Sequence, residues 1–297
     1  MQAQSRPWRS VLYIPGSKPR ALEKATGLAA DAIIFDLEDA VSPDEKIAAR
    51  ETLIEALRRL DHAPRARLVR VNGLDTPWGE DDIRALVAAG LHLDGLVIPK
   101  VGSEADLDAV SWLAPGVALW AMMETPRGIL AADAIAAHHA LAGMVMGTND
   151  LARELGCRHR PDRLPMIQAL SLCLLAARAH GRIVIDGVFN AFRDLEGLEL
   201  ECAQGRDMGF DGKSLIHPDQ LAVANLVFAP APDEIALAHR QIAAHAQAVA
   251  AGQGVAVLDG RIVENLHVAT AHELIARAEA IARLEGQIPA ASQAERV

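Results

Sequence analysis

Two acidic residues placed just after apolar runs carry the strongest chemical signal in this 297-residue chain. Glu124 stands in Met122-Met123-Glu124-Thr125-Pro126-Arg127-Gly128 and Asp150 in Gly147-Thr148-Asn149-Asp150. Carboxylates leaving the ends of neighbouring strands, roughly 5 Å apart, can share one cation. Two acids completed by waters and substrate oxygens suit Mg²⁺, with Mn²⁺ as the other candidate, whereas zinc would call for His or Cys. The competing reading is that each acid caps the helix that follows it. Arg70, in Leu68-Val69-Arg70-Val71-Asn72, can grip a carboxylate through two parallel hydrogen bonds. Its structural alternative is an ion pair with Glu38 or Asp39, and the two roles are compatible.

A second group is cationic. Tyr13-Ile14-Pro15-Gly16-Ser17-Lys18-Pro19-Arg20, with Lys24 a turn or two further on, makes a local basic patch that suits phosphates. The Walker spacing is missing, and a solvated charged face is the rival reading. His217, in Gly212-Lys213-Ser214-Leu215-Ile216-His217-Pro218, precedes a proline at a helix start. Ligand contact or packing is the reading adopted for it over acid–base chemistry.

These residues need a frame. Eight short apolar runs alternate with amphipathic segments: 10–14, 32–35, 67–71, 95–99, 117–122, 144–146, 183–185 and 210–213. Each is apolar on successive positions, as in strands buried on both faces. Polar residues recur just after them: Glu38, Asp39, Arg70, Asn72, Lys100, Glu124, Asn149, Asp150, Asp186 and His217. In a closed barrel such positions converge on one mouth, whereas an open sheet would spread them along an edge. The prediction is a (β/α)₈ TIM barrel over residues 1–230. A C-terminal helical extension over 231–297, broken at Gly252-Gln253-Gly254 and Leu258-Asp259-Gly260-Arg261, completes the chain.

Composition narrows the class. Hydrophobic residues make up 51% and aromatics only 3%, so Ala, Leu, Val and Ile must fill a large core. A net charge of −10 argues against general nucleic-acid binding. Cys157, Cys173 and Cys202 lack metal-finger spacing and read as reduced core thiols. MQAQSRPWRS has no signal-peptide run and no apolar stretch is long enough to span a bilayer, so a cytoplasmic location is expected.

Taken in order, these segments, together with Phe35-Asp36-Leu37-Glu38-Asp39-Ala40-Val41, resemble the citrate lyase β-subunit-like proteins of the HpcH/HpaI aldolase superfamily. That group includes malyl-CoA, β-methylmalyl-CoA and citramalyl-CoA lyases and a malyl-CoA thioesterase. The resemblance implies Mg²⁺ on Glu124 and Asp150, Arg70 on a substrate carboxylate, and Asn149 and Asp150 beside the oxo-acid. It also implies coenzyme A contacts from Tyr13, Lys18, Lys24, Ile216 and His217. Trimers or hexamers are implied as well, with the C-terminal segment covering a neighbour's site. Where family lyases often carry a lid aspartate, this chain reads Arg261-Ile262-Val263-Glu264. Glu264 is therefore the candidate acid–base group, with a surface helix cap as its alternative and Asp259 as the nearest substitute.

The function expected first is Mg²⁺-dependent carbon–carbon cleavage of a 3-hydroxyacyl-CoA, of malyl, citramalyl or citryl type, to a 2-oxo acid and an acyl-CoA. The alternatives are malyl-CoA thioester hydrolysis on the same scaffold and a citrate lyase β subunit acting on an acyl-carrier-protein thioester. A coenzyme A-independent aldolase is a further rival, and it would leave Lys18 and Lys24 as plain surface residues.

Overall fold

Consecutive branched and small apolar residues produce eight strands in the computed structural model, which describes residues 6–287. They are β1 (Ser10–Pro15), β2 (Ala32–Asp36), β3 (Ala66–Arg70), β4 (Gly95–Ile98), β5 (Leu119–Met123), β6 (Leu141–Met146), β7 (Ile183–Asp186) and β8 (Gly212–Leu215). All pair in parallel with their sequence neighbours, and β8 returns to β1, so the sheet closes into a barrel. The helices between them are α1 (Pro19–Ala25), α2 (Lys46–Arg59), α3 (Gly79–Ala88), α4 (Glu104–Leu113), α5 (Pro126–Leu130), α6 (Ala132–Ala137), α7 (Thr148–Leu155), α8 (Ile167–Ala179), α9 (Leu195–Met208) and α10 (Leu221–Val227).

The expected TIM barrel with a helical extension is present. Its strands differ from the expected runs mainly at their ends. β8 starts two residues late because Gly209, at φ 107°, ends α9, and Asp211 is spent accepting the N–H of Val184.

Strand parity decides which side chains reach the lumen. Val11, Ala32, Ile34, Ala66, Leu68, Val97, Trp120, Met122, Val145 and Ile185 form one buried cluster inside the barrel. Their strand neighbours Leu12, Ile33, Phe35, Val69, Leu96, Ala121, Met144 and Val184 form another beneath the helices. Trp8 packs on Trp120 with ring centroids 4.7 Å apart. Counting on by two from the inner positions puts Tyr13, Asp36, Arg70 and Glu124 in the lumen. Counting by two from the outer positions Val184 and Leu215 puts Asp186 and Lys213 on the outer face.

The described residues form two compact units, Trp8–Phe228 and Ala229–Gln287 with residues 6–7. In the second, α11 (Pro232–Ala250) and α12 (Asn265–Gln287) accompany a hairpin of β9 (Ala256–Leu258) and β10 (Arg261–Val263). The hairpin turn is Asp259-Gly260, both at positive φ, as a two-residue turn between twisted strands requires. Ala248, Ala256 and Val263 form its small core. The run Pro218–Ala250 has the length and apolar composition of a bilayer-crossing segment, but it is two α-helices separated at residues 228–231. Cys157, Cys173 and Cys202 are free thiols, the latter two buried.

Candidate active site

Arg70 and Asp36 are register partners on β3 and β2, and both point inward. The pairing is bidentate: Nε donates to Asp36 Oδ1 at 2.7 Å and Nη2 to Oδ2 at 2.6 Å. Nη1 reaches Glu38 at 2.8 Å and Asp39 at 3.3 Å. Asp36, Glu38 and Arg70 are buried, while the Asp39 side chain is 60% exposed. Burial pulls the Arg70 guanidinium down, but Asp36 outweighs it, so the group stays charged well above its ordinary value. The Tyr13 ring lies under Arg70, 5.1 Å from centroid to Cζ. The tyrosine hydroxyl donates to Met122 Sδ at 3.4 Å, and burial raises its pKa above the usual range.

Glu124 follows β5 on the inward parity and is 1% exposed. Its Oε1 accepts the backbone N–H of Lys100 at 2.7 Å. Lys100 adopts a left-handed conformation, φ 52°, that a lysine rarely takes, and its Nζ donates to Glu38 at 2.5 Å. Gly147 makes room for the carboxylate, since any Cβ there would overlap Glu124 Cβ and Oε2. Burial, then the Glu38 charge, push the Glu124 carboxyl up to about 7. Burial likewise raises Glu38, against the opposing pull of Arg70 and Lys100.

Asp150 lies in the first turn of α7 rather than directly at the end of β6, and it pairs with the largely exposed Arg153 at 2.7 Å. A cavity of about 340 Å³ brings together Tyr13, Arg70, Glu124, Asn149, Asp150 and Ile216. Asp36 and Asp39 also line it. Four carboxylates (Asp36, Glu38, Asp39 and Glu124) thus gather around two inner cations, Arg70 and Lys100, while Asp150 lines the same cavity with Arg153 as its partner. That excess of negative charge, with one buried carboxyl driven toward protonation, fits a divalent cation. The donors are all oxygen, and no cluster of three or more His, Cys, Asp or Glu ligands occurs among the described residues. Such a set fits a hard ion that keeps its waters.

Lys18, Lys24 and His217 do not line this cavity. Lys18 stands at the N-terminal boundary of α1 without a side-chain capping bond and Lys24 lies on the helix, both exposed. His217 caps the 3₁₀ turn Pro218–Gln220, its Nδ1 accepting from Asp219 N at 3.2 Å, and its ring stacks on Phe192. Asn149 is exposed and locked in a reciprocal amide pair with Asn190, at 3.1 and 2.7 Å. Glu264 belongs to the second unit, exposed, with its N–H donating to His267 Nδ1.

Two post-strand polar residues do not join the mouth. Asn72 is buried against Asp82 and the Leu37 carbonyl. Asp186 sits on the outer strand face, in a buried network with Arg163, Lys213 and Glu201. Lys213 and Arg163 outweigh burial and keep Asp186 ionised. Sequence reasoning missed Asp36 as the main partner of Arg70. The shared inward parity of the two residues was the available signal.

A barrel whose lumen presents a carboxylate-rich, oxygen-donor mouth beside a held arginine defines a metal-assisted enzyme class. The model of the HpcH/HpaI aldolase/citrate lyase family matches residues 9–218, and the chain belongs to that family. A (3S)-malyl-CoA thioesterase of Cereibacter sphaeroides is 64% identical over 282 residues, covering 95% of this chain and 98% of that protein. An L-malyl-CoA/beta-methylmalyl-CoA lyase of the same organism is 36% identical over 308 residues, covering 93% and 96%. Among solved structures, Mycobacterium tuberculosis CitE in complex with magnesium, acetoacetate and coenzyme A matches with a TM-score of 0.78. It shares 33% identity over 92% of this chain and 98% of that one.

Proposed function

We propose that this chain is a Mg²⁺-dependent enzyme acting on small acyl-coenzyme A thioesters, and that its reaction is hydrolysis of a 3-hydroxy-dicarboxylyl thioester of the malyl-CoA type. The observation that carries the choice of reaction is the gap between 64% identity to a thioesterase and 36% to a lyase, each over nearly the whole chain. Carbon–carbon cleavage, the first expectation from sequence, stands second. It draws support from the lyase relative and from the common scaffold.

Glu124 and Asp150 would hold the cation, which when bound supplies Lewis-acid charge to oxygens of the acyl group. Arg70 binds the distal carboxylate of the substrate. Its inner edge is committed to Asp36, so the incoming carboxylate takes the outer edge, from which the exposed Asp39, at 3.3 Å, gives way. Lys18 and Lys24 neutralise coenzyme A phosphates. Ile216 and His217 lie along the thioester arm. Both of their N–H groups are spent on Gln220 Oε1, so that strand end offers the arm side chains and the Ile216 carbonyl. A water attacks the thioester carbon while a carboxylate takes its proton, the C–S bond breaks, and the sulfur leaves to become the free thiol. Glu264 of a neighbouring copy, in a trimer or hexamer, is the assigned proton acceptor. The three unpaired cysteines suit a reducing, cytoplasmic setting.

Turnover of (3S)-malyl-CoA in ¹⁸O-water tests the reading. Hydrolysis places one ¹⁸O in the carboxylate of the released hydroxy acid. An oxo acid and a shorter acyl-coenzyme A formed in step with substrate loss, with no ¹⁸O-labelled hydroxy acid, would overturn it in favour of cleavage.

A further inference from the structure

The cavity over Arg70 and Glu124 has a neighbour. A second cavity, also about 340 Å³, lies between segment 159–166 and the connection from β7 to α9. The two cavities share two lining residues, Thr148 and Val188. Thr148 opens α7 and packs on Gly187 so closely that any side chain at 187 would overlap it.

Val188 is fixed from both flanks. The carbonyl before it, of Gly187, accepts from Lys213 Nζ at 2.7 Å, and the carbonyl after it, of Phe189, accepts from Gln220 Nε2 at 2.9 Å. Both donors are fully buried. Lys213 is also held by Asp186 and Glu201, and Gln220 Oε1 accepts the N–H groups of Ile216 and His217. Moving either donor would strand buried polar groups, so the backbone around Val188 cannot yield to a ligand. The Asn149–Asn190 amide pair joins the two walls alongside it. Beyond Val188 the second cavity has apolar walls from Met166, Phe189 and Leu200.

We propose that Val188 determines acyl selectivity: its isopropyl group is a rigid partition that confines the acyl half to the Arg70–Glu124 cavity and excludes alkyl-branched chains from the room behind it. The inference rests on the thioester reading above and names which members of that substrate class are accepted. Truncating Val188 joins the cavities along an apolar path, so a methyl or ethyl branch gains space. One methylene in an apolar pocket is discriminated about 10- to 200-fold.

The test compares the parent, Val188→Ala, the isosteric Val188→Thr, and Val188→Ala combined with Leu200→Trp. Substrates are (3S)-malyl-CoA and its methyl- and ethyl-branched homologues, with Mg²⁺. The ratio of kcat/KM for branched over unbranched thioester should rise at least tenfold in Val188→Ala. It should stay at the parent value in Val188→Thr, which keeps the shape. It should fall back in the double variant, where the indole refills the second cavity from its exposed rim. Calorimetric affinities for the free branched and unbranched 2-hydroxy diacids, measured in parallel with Mg²⁺, should show the same pattern. A ratio unchanged within twofold in Val188→Ala, in turnover or in binding, overturns the partition. A parent inactive on every thioester strikes the functional reading instead, and the calorimetric ratio then judges the partition alone.

Discussion

Replacing Arg70 by lysine separates its charge from its shape. The lysine nitrogen falls near the position of the guanidinium carbon and carries a single donor centre. In the parent, Nε and Nη2 satisfy both oxygens of Asp36 at 2.7 and 2.6 Å while Nη1 serves Glu38 and Asp39. An ammonium there is drawn to Asp36 and Glu38 and can spare at most one bond for a substrate carboxylate. Losing one charge-assisted hydrogen bond costs about 1.5–3 kcal/mol. At about 1.4 kcal/mol per tenfold, kcat/KM should fall roughly 10- to 150-fold. The assay is the initial rate of thiol release against thioester concentration at saturating Mg²⁺, with melting temperature as the check on folding. A 3-hydroxyacyl thioester lacking the distal carboxylate is the control: its already low rate should be insensitive to the exchange. A folded Arg70→Lys enzyme within threefold of the parent on the dicarboxylyl substrate refutes the assignment.

Three further outcomes follow from the same geometry. Lys18→Ala with Lys24→Ala should raise KM for the thioester several-fold with little change in kcat, and the gap from the parent should narrow as salt rises; equal KM values at low salt would make the patch mere surface. Burial and Glu38 raise the Glu124 carboxyl to about 7, so below that pH a cation must displace a proton, whereas above it the carboxylate is ready. The Mg²⁺-induced rise in melting temperature should therefore be larger at pH 8 than at pH 6, and equal shifts at both would contradict that coupling. Glu264→Gln should abolish most turnover, and mixing it with Asp150→Asn should restore part of it through hybrid oligomers; a fully active Glu264→Gln enzyme removes its proton-transfer role.

The barrel was legible because its strands are apolar on successive residues, a pattern that survives without knowledge of partners. Glu124 and Arg70 were legible for a related reason: each is the first ionisable residue on an inward parity after a buried run. What a single sequence hides is register. Asp36 and Arg70 lie 34 positions apart and meet only because β2 and β3 align residue for residue. The left-handed turn at Lys100 was hidden too, since its N–H reaches Glu124 through backbone shape rather than residue type. Asp186 misled in the opposite direction. It follows a strand like the others, but its odd parity turns it outward, where Arg163 and Lys213 neutralise it. Asn149 has a motif's place, but its amide is tied to Asn190, which nothing local in the sequence announces.

The most direct measurement follows free coenzyme A and glyoxylate side by side from (3S)-malyl-CoA, with and without Mg²⁺. Free thiol should accumulate one-for-one with substrate loss, without glyoxylate, and should stop when the metal is chelated. Glyoxylate appearing in step with substrate loss, with coenzyme A still acylated, would contradict hydrolysis and identify the chain as a lyase.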